Sequence, residues 1–173
     1  MDIETRRGIM SMTEDLNFPS KWWLWYHDPN NNDWSLESYI KIYALEKLTD
    51  YWNIVEEGIT EKAWTSGMYF LMRDGYRPIW EVPENQKGGA WSQKIDASQT
   101  YPIFKDLIVH CLAEKILKEH NDHIVGVSIS PKSGFHIIKI WNKDPSLKDK
   151  LVFQSTLRMK TSDLAYKKHN DRH

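Results

Sequence analysis

Strand-like runs and tight turns alternate along this chain with three widely spaced helical stretches, and that rhythm most narrows the fold. Trp22-Trp23-Leu24-Trp25-Tyr26 is an aromatic run of buried-strand length. Tyr39 to Leu45 alternates, with Ile40, Ile42 and Ala44 on one face and Tyr39, Lys41 and Tyr43 on the other. Met68 to Met72, the stretch carrying Trp80 and Glu81, Trp91 to Asp96, Val125 to Ser130, Ile137 to Trp141 and Leu164 to Tyr166 read as further strands. Arg73-Asp74-Gly75 and Pro131-Lys132-Ser133-Gly134 read as turns. A first helix takes Thr49 as N-cap, Asp50 in its first turn and Gly58 as its stop. The longest starts at Thr100 and Pro102 and keeps its period through Ile103, Leu107, Cys111, Leu112 and Ile116 to about His120. Asp144-Pro145-Ser146 opens the third, running to about Lys160. The long helices join strands that are not neighbours, so the predicted class is α+β, a curved antiparallel sheet with helices on one face. Residues 1–15 show no period and read as a flexible tail, leaving 16–173 as a single domain.

Nine Trp in 173 residues are more than a core of this size needs, which points to exposed indoles kept for binding. A formal net charge of −1 excludes a general nucleic-acid coat and limits any such contact to something local and short. A single Cys excludes a disulfide framework and a thiolate metal cluster, and suits a reducing compartment. The first residues lack an apolar signal core, and no segment approaches membrane-span length, so the expected location is the cytoplasm, with the nucleus as a second compartment.

Pro78-Ile79-Trp80-Glu81, followed by Gly88-Gly89-Ala90-Trp91, places an indole directly before a carboxylate. An indole face attracts a cationic aromatic ring, and a neighbouring carboxylate accepts from a base edge that presents N–H donors, as guanine does. Trp34, on the polar loop Asp28-Pro29-Asn30-Asn31-Asn32-Asp33, is the candidate second platform. Trp52 lies about 100° off the stripe of Tyr51, Ile54 and Val55; it either faces a partner or widens the buried face. No nucleophile elbow, phosphate loop or His-Glu metal helix is present, and nothing brings Glu81 and Asp74 together as an acid–base pair, so no catalysis is expected. The pairs His120/His123 and His169/His173 have helical ligand spacing in polar ends and read as solvated; no metal and no cofactor is expected.

The ordered set Trp22-x-Leu24-Trp25-Tyr26, Trp34, Tyr51-Trp52, Asp74-Gly75, Pro78-Ile79-Trp80-Glu81, Gly88-Gly89-x-Trp91 and Ile140-Trp141 resembles the eukaryotic translation initiation factor 4E family, from about residue 16 onward. The resemblance implies an eight-stranded curved antiparallel sheet with three helices on its convex face, and binding of the messenger-RNA 5′ cap in the concave one. It implies that Trp34 and Trp80 sandwich 7-methylguanine, that Glu81 accepts from its N1 and N2 hydrogens, that the Trp80 N–H donates to O6, and that Trp141 meets the N7-methyl group. It implies a partner surface at Trp52 and Val109 for an amphipathic helix, from a scaffold of the initiation factor 4G type or a 4E-binding repressor, on a chain otherwise monomeric and free of membrane. Trp22, Trp25 and Trp91 are expected as framework.

The departures fall on the phosphate and partner contacts. Ala90 stands where the family carries a basic residue, and the later basic loop is reduced to Lys132. Lys139, two residues before Trp141, and Lys94 are candidates to replace that charge. The family's longer C-terminal loop is expected to be missing after Tyr166-Lys167-Lys168-His169, and Asn17-Phe18 replaces its usual His-Pro. The expected function is cap binding in translation initiation. The alternatives are a cap-binding repressor without scaffold recruitment and an interaction module that has lost cap binding.

Overall fold

The computed structural model describes residues 2–4 and 16–171, so most of the expected tail, and His173, lie outside the described residues. Seven strands form one antiparallel sheet in the order β2-β1-β3-β5-β6-β4-β7. They are β1 (Asn17–His27), β2 (Ile40–Lys47), β3 (Met68–Arg73), β4 (Gly89–Asp96), β5 (Ile124–Pro131), β6 (Phe135–Asn142) and β7 (Ala165–Lys168). Register shifts in β1 and β5 bend the sheet, as bulges do.

Strand alternation gives the sheet two unequal faces. Trp22, Leu24, Leu71, Val127, Ile129, Ile138 and Ile140 point to the helix side and form the main core. Phe70, Met72, Ala90, Val125 and Trp141 form a thin second cluster on the open side, with Trp25, Tyr39 and Trp80 against it. On the edge strand β2 only Leu45 is fully buried, while Ile40 and Ile42 are exposed.

Among the described residues four helices replace the expected three, and seven strands the expected eight. Helix α1 (Leu48–Tyr51) continues as a π-turn to Glu56. Its start is held by Asp50, whose carboxylate accepts from the N–H groups of Glu46 and Lys47 at 2.9 and 3.0 Å, rather than by Thr49. Helix α2 (Glu61–Ser66), capped by Thr60 and burying Trp64, was not expected. Helix α3 (Pro83–Gln86), with Pro83 in its first turn, follows the Trp80–Glu81 stretch. Helix α4 (Thr100–Leu112) buries Phe104, Leu107, Ile108, Cys111 and Leu112, an i, i+3, i+4, i+7, i+8 stripe. It stops well short of His120 because Glu114 takes a left-handed conformation, φ 55°.

That carboxylate is gripped from the sheet. Arg73 at the end of β3 meets Glu114 through two bonds of 2.6 and 3.0 Å. The same guanidinium donates to Ser20 Oγ and to the carbonyls of Asn121 and Ile124, and lies 4.4 Å from the Trp22 ring centroid.

The expected 144–160 helix survives only as a 3₁₀ stretch, Pro145–Lys150. Beyond it the backbone pairs with residues 116–118 instead: Lys118 N–H donates to Val152 O and Gln154 N–H to Ile116 O. Leu151, Leu157 and Met159 are buried from this irregular segment, whose Ser155-Thr156 are weak helix formers. The stretch carrying Trp80 and Glu81 is a loop, not a strand; Pro78 and Pro83 bracket it and offer no ladder N–H.

His136, buried on β6, is held below the usual imidazole range by burial, partly offset by a backbone hydrogen bond at Thr65. A group with a depressed folded pKa contributes stability that is present above its unfolded value and lost as pH falls. Urea midpoints are therefore expected to drop below about pH 6.5. His136→Gln is expected to remove up to one proton's share of that slope, about 1.4 kcal/mol per pH unit at most. An unchanged slope in the variant would place the acid sensitivity elsewhere.

Candidate nucleic-acid cap site

The open face carries a cleft of about 260 Å³ whose walls include Trp34, Trp80 and Glu81, and whose floor includes Phe70, Trp141 and Lys139. Five of the residues expected at the site thus meet in one place. Of the other expected lysines, Lys132 is exposed on the β5–β6 turn and Lys94 lies 4.9 Å from the Phe135 ring centroid; neither lines the cleft.

The Trp80–Glu81 wall is built by α3. Asn85, 2 % exposed, donates through Nδ2 to the carbonyls of Arg77 and Ile79 at 2.6 and 2.7 Å. Glu84 takes Arg77 in a two-pronged ion pair, Nε to Oε1 at 2.6 Å and Nη2 to Oε2 at 3.0 Å. That pairing holds the Glu84 carboxyl below its usual range. Gln86 donates to the Glu81 carbonyl at 2.5 Å. Three consecutive side chains therefore fix the backbone on both sides of Trp80. They leave the Glu81 carboxylate without a hydrogen-bond partner among the described residues. Burial and the Glu81 charge push the Tyr39 hydroxyl up to about 12, so it stays protonated beside the carboxylate.

The Gly88-Gly89 pair is explained by packing. A Cβ on Gly88 would run into the Asn142 carbonyl, and one on Gly89 into the Tyr166 hydroxyl and the Lys167 carbonyl. The start of β4 can lie against β6 and β7 only without side chains there.

The opposite wall is a polar loop folded on its own side chains. Asp28 accepts from Asn30 N–H, Asn31 from Asp33 N–H and Asp33 from Ser35 N–H, each at 2.9 Å. The Ser35 bonds hold the Asp33 carboxyl below its usual range. Trp34 projects from this loop 53 % exposed, one face against His27, with ring centroids 4.5 Å apart and planes within 13°. On the floor, Trp141 is buried and its indole N–H donates to Ser128 Oγ at 3.0 Å.

Tyr39, Phe70, Ser128, Ser130 and His27 were not singled out from the sequence. Strand alternation was the available signal, because Ser128 and Ser130 share a face on β5 and Phe70 is paired with Ser128 across the ladder.

On the helix face a separate apolar groove is lined by Leu16, Phe18, Pro19, Leu48, Val109 and Leu112, with Val109 44 % exposed. Trp52 is not part of its lining; it is half-buried against the main core, next to Tyr51. Asp122 brings a third candidate ligand to His120 and His123, all within 4.8 Å, but its carboxylate faces the Lys143 ammonium at 3.4 Å. Among the described residues no helix is long and apolar enough to cross a membrane.

A factor 4E-1 of Caenorhabditis elegans is 26% identical over 147 residues, covering 78% of this chain and 68% of the relative. Factor 4E of Eremothecium gossypii is 27% identical over 178 residues, covering 94% and 82%. Among solved structures, a complex of C. elegans eIF4E-3 with the 4E-binding protein Mextli and a cap analog superimposes with a TM-score of 0.78 at 21% identity, over 90% of this chain and 94% of that one. Ascaris suum eIF4E-3 with an m7G cap gives 0.74 at 19% identity, over 89% and 91%. The family model for eukaryotic initiation factor 4E matches residues 17–173, and the chain belongs to that family.

Proposed function

We propose that this protein binds the 7-methylguanosine cap of messenger RNA in the open-face cleft and recruits a partner through the groove on the helix face. The observation that carries the reading is the convergence of Trp34, Trp80 and an unpartnered Glu81 carboxylate on one cleft. Trp34 and Trp80 are the sandwich, and methylation at N7 makes the guanine cationic, so stacking gains a cation–π term that unmethylated guanine lacks. Glu81 reads the N1 and N2 hydrogens, the Trp80 N–H donates to O6, and Trp141 meets the methyl group from the floor. Lys139 is the lysine placed for the cap phosphates; Lys132 and Lys94 contribute at longer range. Val109 and Trp52 are the residues assigned to the partner surface, where an amphipathic helix of a scaffold or a 4E-binding repressor would lie. The place of action is the cytoplasm, and residues 16–173 act as one cap-binding unit.

The test is quenching of intrinsic Trp fluorescence by 7-methyl-GTP, with GTP as control, at two salt concentrations. Quenching selective for the methylated nucleotide is expected. Lys139→Ala is expected to weaken it and reduce the salt slope by about one, with methyl selectivity retained. Equal quenching by the two nucleotides would overturn the reading.

A further inference from the structure

Trp34 is a large indole on a polar loop, more than half exposed, and such a side chain is a poor platform unless something holds its plane. The structure assigns that task to His27, as a positioning residue for the Trp34 wall of the cleft; this inference rests on the cap-binding reading. His27 is fully buried at the end of β1, paired with Met68 of β3, so its backbone is part of the sheet. Its imidazole stacks on one face of Trp34, and Tyr39 closes on the imidazole at 4.5 Å, tilted by 44°. Tyr39 meets Phe70 edge-on at 5.5 Å, and Phe70 meets Trp141 at 6.3 Å. A continuous run of ring contacts thus links the exposed wall of the cleft to its buried floor, with His27 joining loop to sheet.

The imidazole also grips the loop directly. Nε2 lies 2.8 Å from the carbonyl oxygen of Asp33, the residue before Trp34. A carbonyl only accepts, so Nε2 carries the proton, which leaves Nδ1 as the bare nitrogen, buried and without a partner among the described residues. A phenyl ring could supply the stack, and an amide could supply the bond. Imidazole supplies both from a single sheet position, so the ligand meets an indole whose tilt and height are already set.

These two contributions separate by substitution. His27→Phe keeps the ring and loses the bond; its 7-methyl-GTP affinity is expected to fall about three- to tenfold. His27→Ala loses both and is expected to fall about thirtyfold. A double-mutant cycle with Trp34→Ala is the deciding measurement. If His27 acts through Trp34, His27→Phe in the Trp34→Ala background changes affinity by less than about twofold. An equal loss in both backgrounds would make His27 ordinary core packing and overturn the inference. A readout without ligand keeps the two readings apart: in 5-fluorotryptophan-labelled protein, the Trp34 fluorine resonance, assigned by Trp34→Phe, is expected to move and sharpen in His27→Phe. Failure of cap binding with that resonance shifted would condemn the ligand and keep the platform holder. An unmoved resonance would sink the inference even if cap binding stands.

Discussion

Glu81→Ala is expected to lower 7-methyl-GTP affinity by about 3 kcal/mol, or more than a hundredfold, and to abolish preference for guanine over other methylated bases. The carboxylate stands on a loop whose backbone is fixed by Asn85, Glu84 and Gln86. In the proposed cap complex, its loss would leave two base N–H donors enclosed between indoles with nothing to accept them. Glu81→Gln keeps one acceptor and turns an N–H toward the base, so it is expected to fall between wild type and Glu81→Ala. Titration calorimetry with 7-methyl-GTP, GTP and ATP decides the matter. A loss under about threefold for Glu81→Ala would show that the base edge is read by another group.

The largest stability effect is expected at Arg73. Removing one partner of a fully buried ion pair costs about 3–5 kcal/mol, because the other charge is left uncompensated; Arg73 and Glu114 are partly buried, 15 % and 18 % exposed, but Arg73 holds more than its ion partner. Arg73→Ala strands Glu114 and also uncaps the carbonyls of Asn121 and Ile124. For a chain of this size each kcal/mol moves the melting temperature by about 2–4 °C, so a fall of roughly 6–20 °C is expected. Arg73→Met, which keeps the stem against Trp22 but not the charge, is expected to recover little of it. Scanning calorimetry checks both, and a shift below about 3 °C in Arg73→Ala would mean that Glu114 finds water or another cation.

Much of the site was legible because its residue types are improbable where they stand. An indole at the tip of an Asn-rich loop and an indole next to a carboxylate between two prolines are poor choices for a core, so Trp34, Trp80 and Glu81 stood out. Lys139 was found by period-2 alternation with Trp141. Lys132 was expected from the family's basic loop and Lys94 from its charge, and neither signal encodes distance; neither lines the cleft. Seven strands were legible, but the Trp80–Glu81 stretch was misread as an eighth, and the helices were misread wherever apolar spacing persisted without a helical backbone. Ile116 continues the α4 period, yet Glu114 turns the chain and Ile116 is buried by another route. Asp144-Pro145-Ser146 carries a helix-start signal, yet beyond Lys150 the backbone pairs with residues 116–118, and Leu151, Leu157 and Met159 are buried from irregular chain. His27 gave no signal, because its importance lies in two contacts made across a loop that the sequence does not place.

The two-faced sheet has a consequence for what kinds of change the chain tolerates. In β3, Phe70 faces the cleft while Tyr69 and Leu71 face the core; in β1, His27 faces the cleft while Trp22 and Leu24 face the core. Ligand-side and core-side residues interleave one by one, so a single inserted residue in either strand would exchange the two sets. Such an insertion is lethal to both surfaces at once. A turn such as residues 132–134 carries no such alternation, so a residue added there would leave both faces in place. The floor of the cleft is thus tied to strand register, while its walls, Trp34, Trp80 and Glu81, stand on loops outside it.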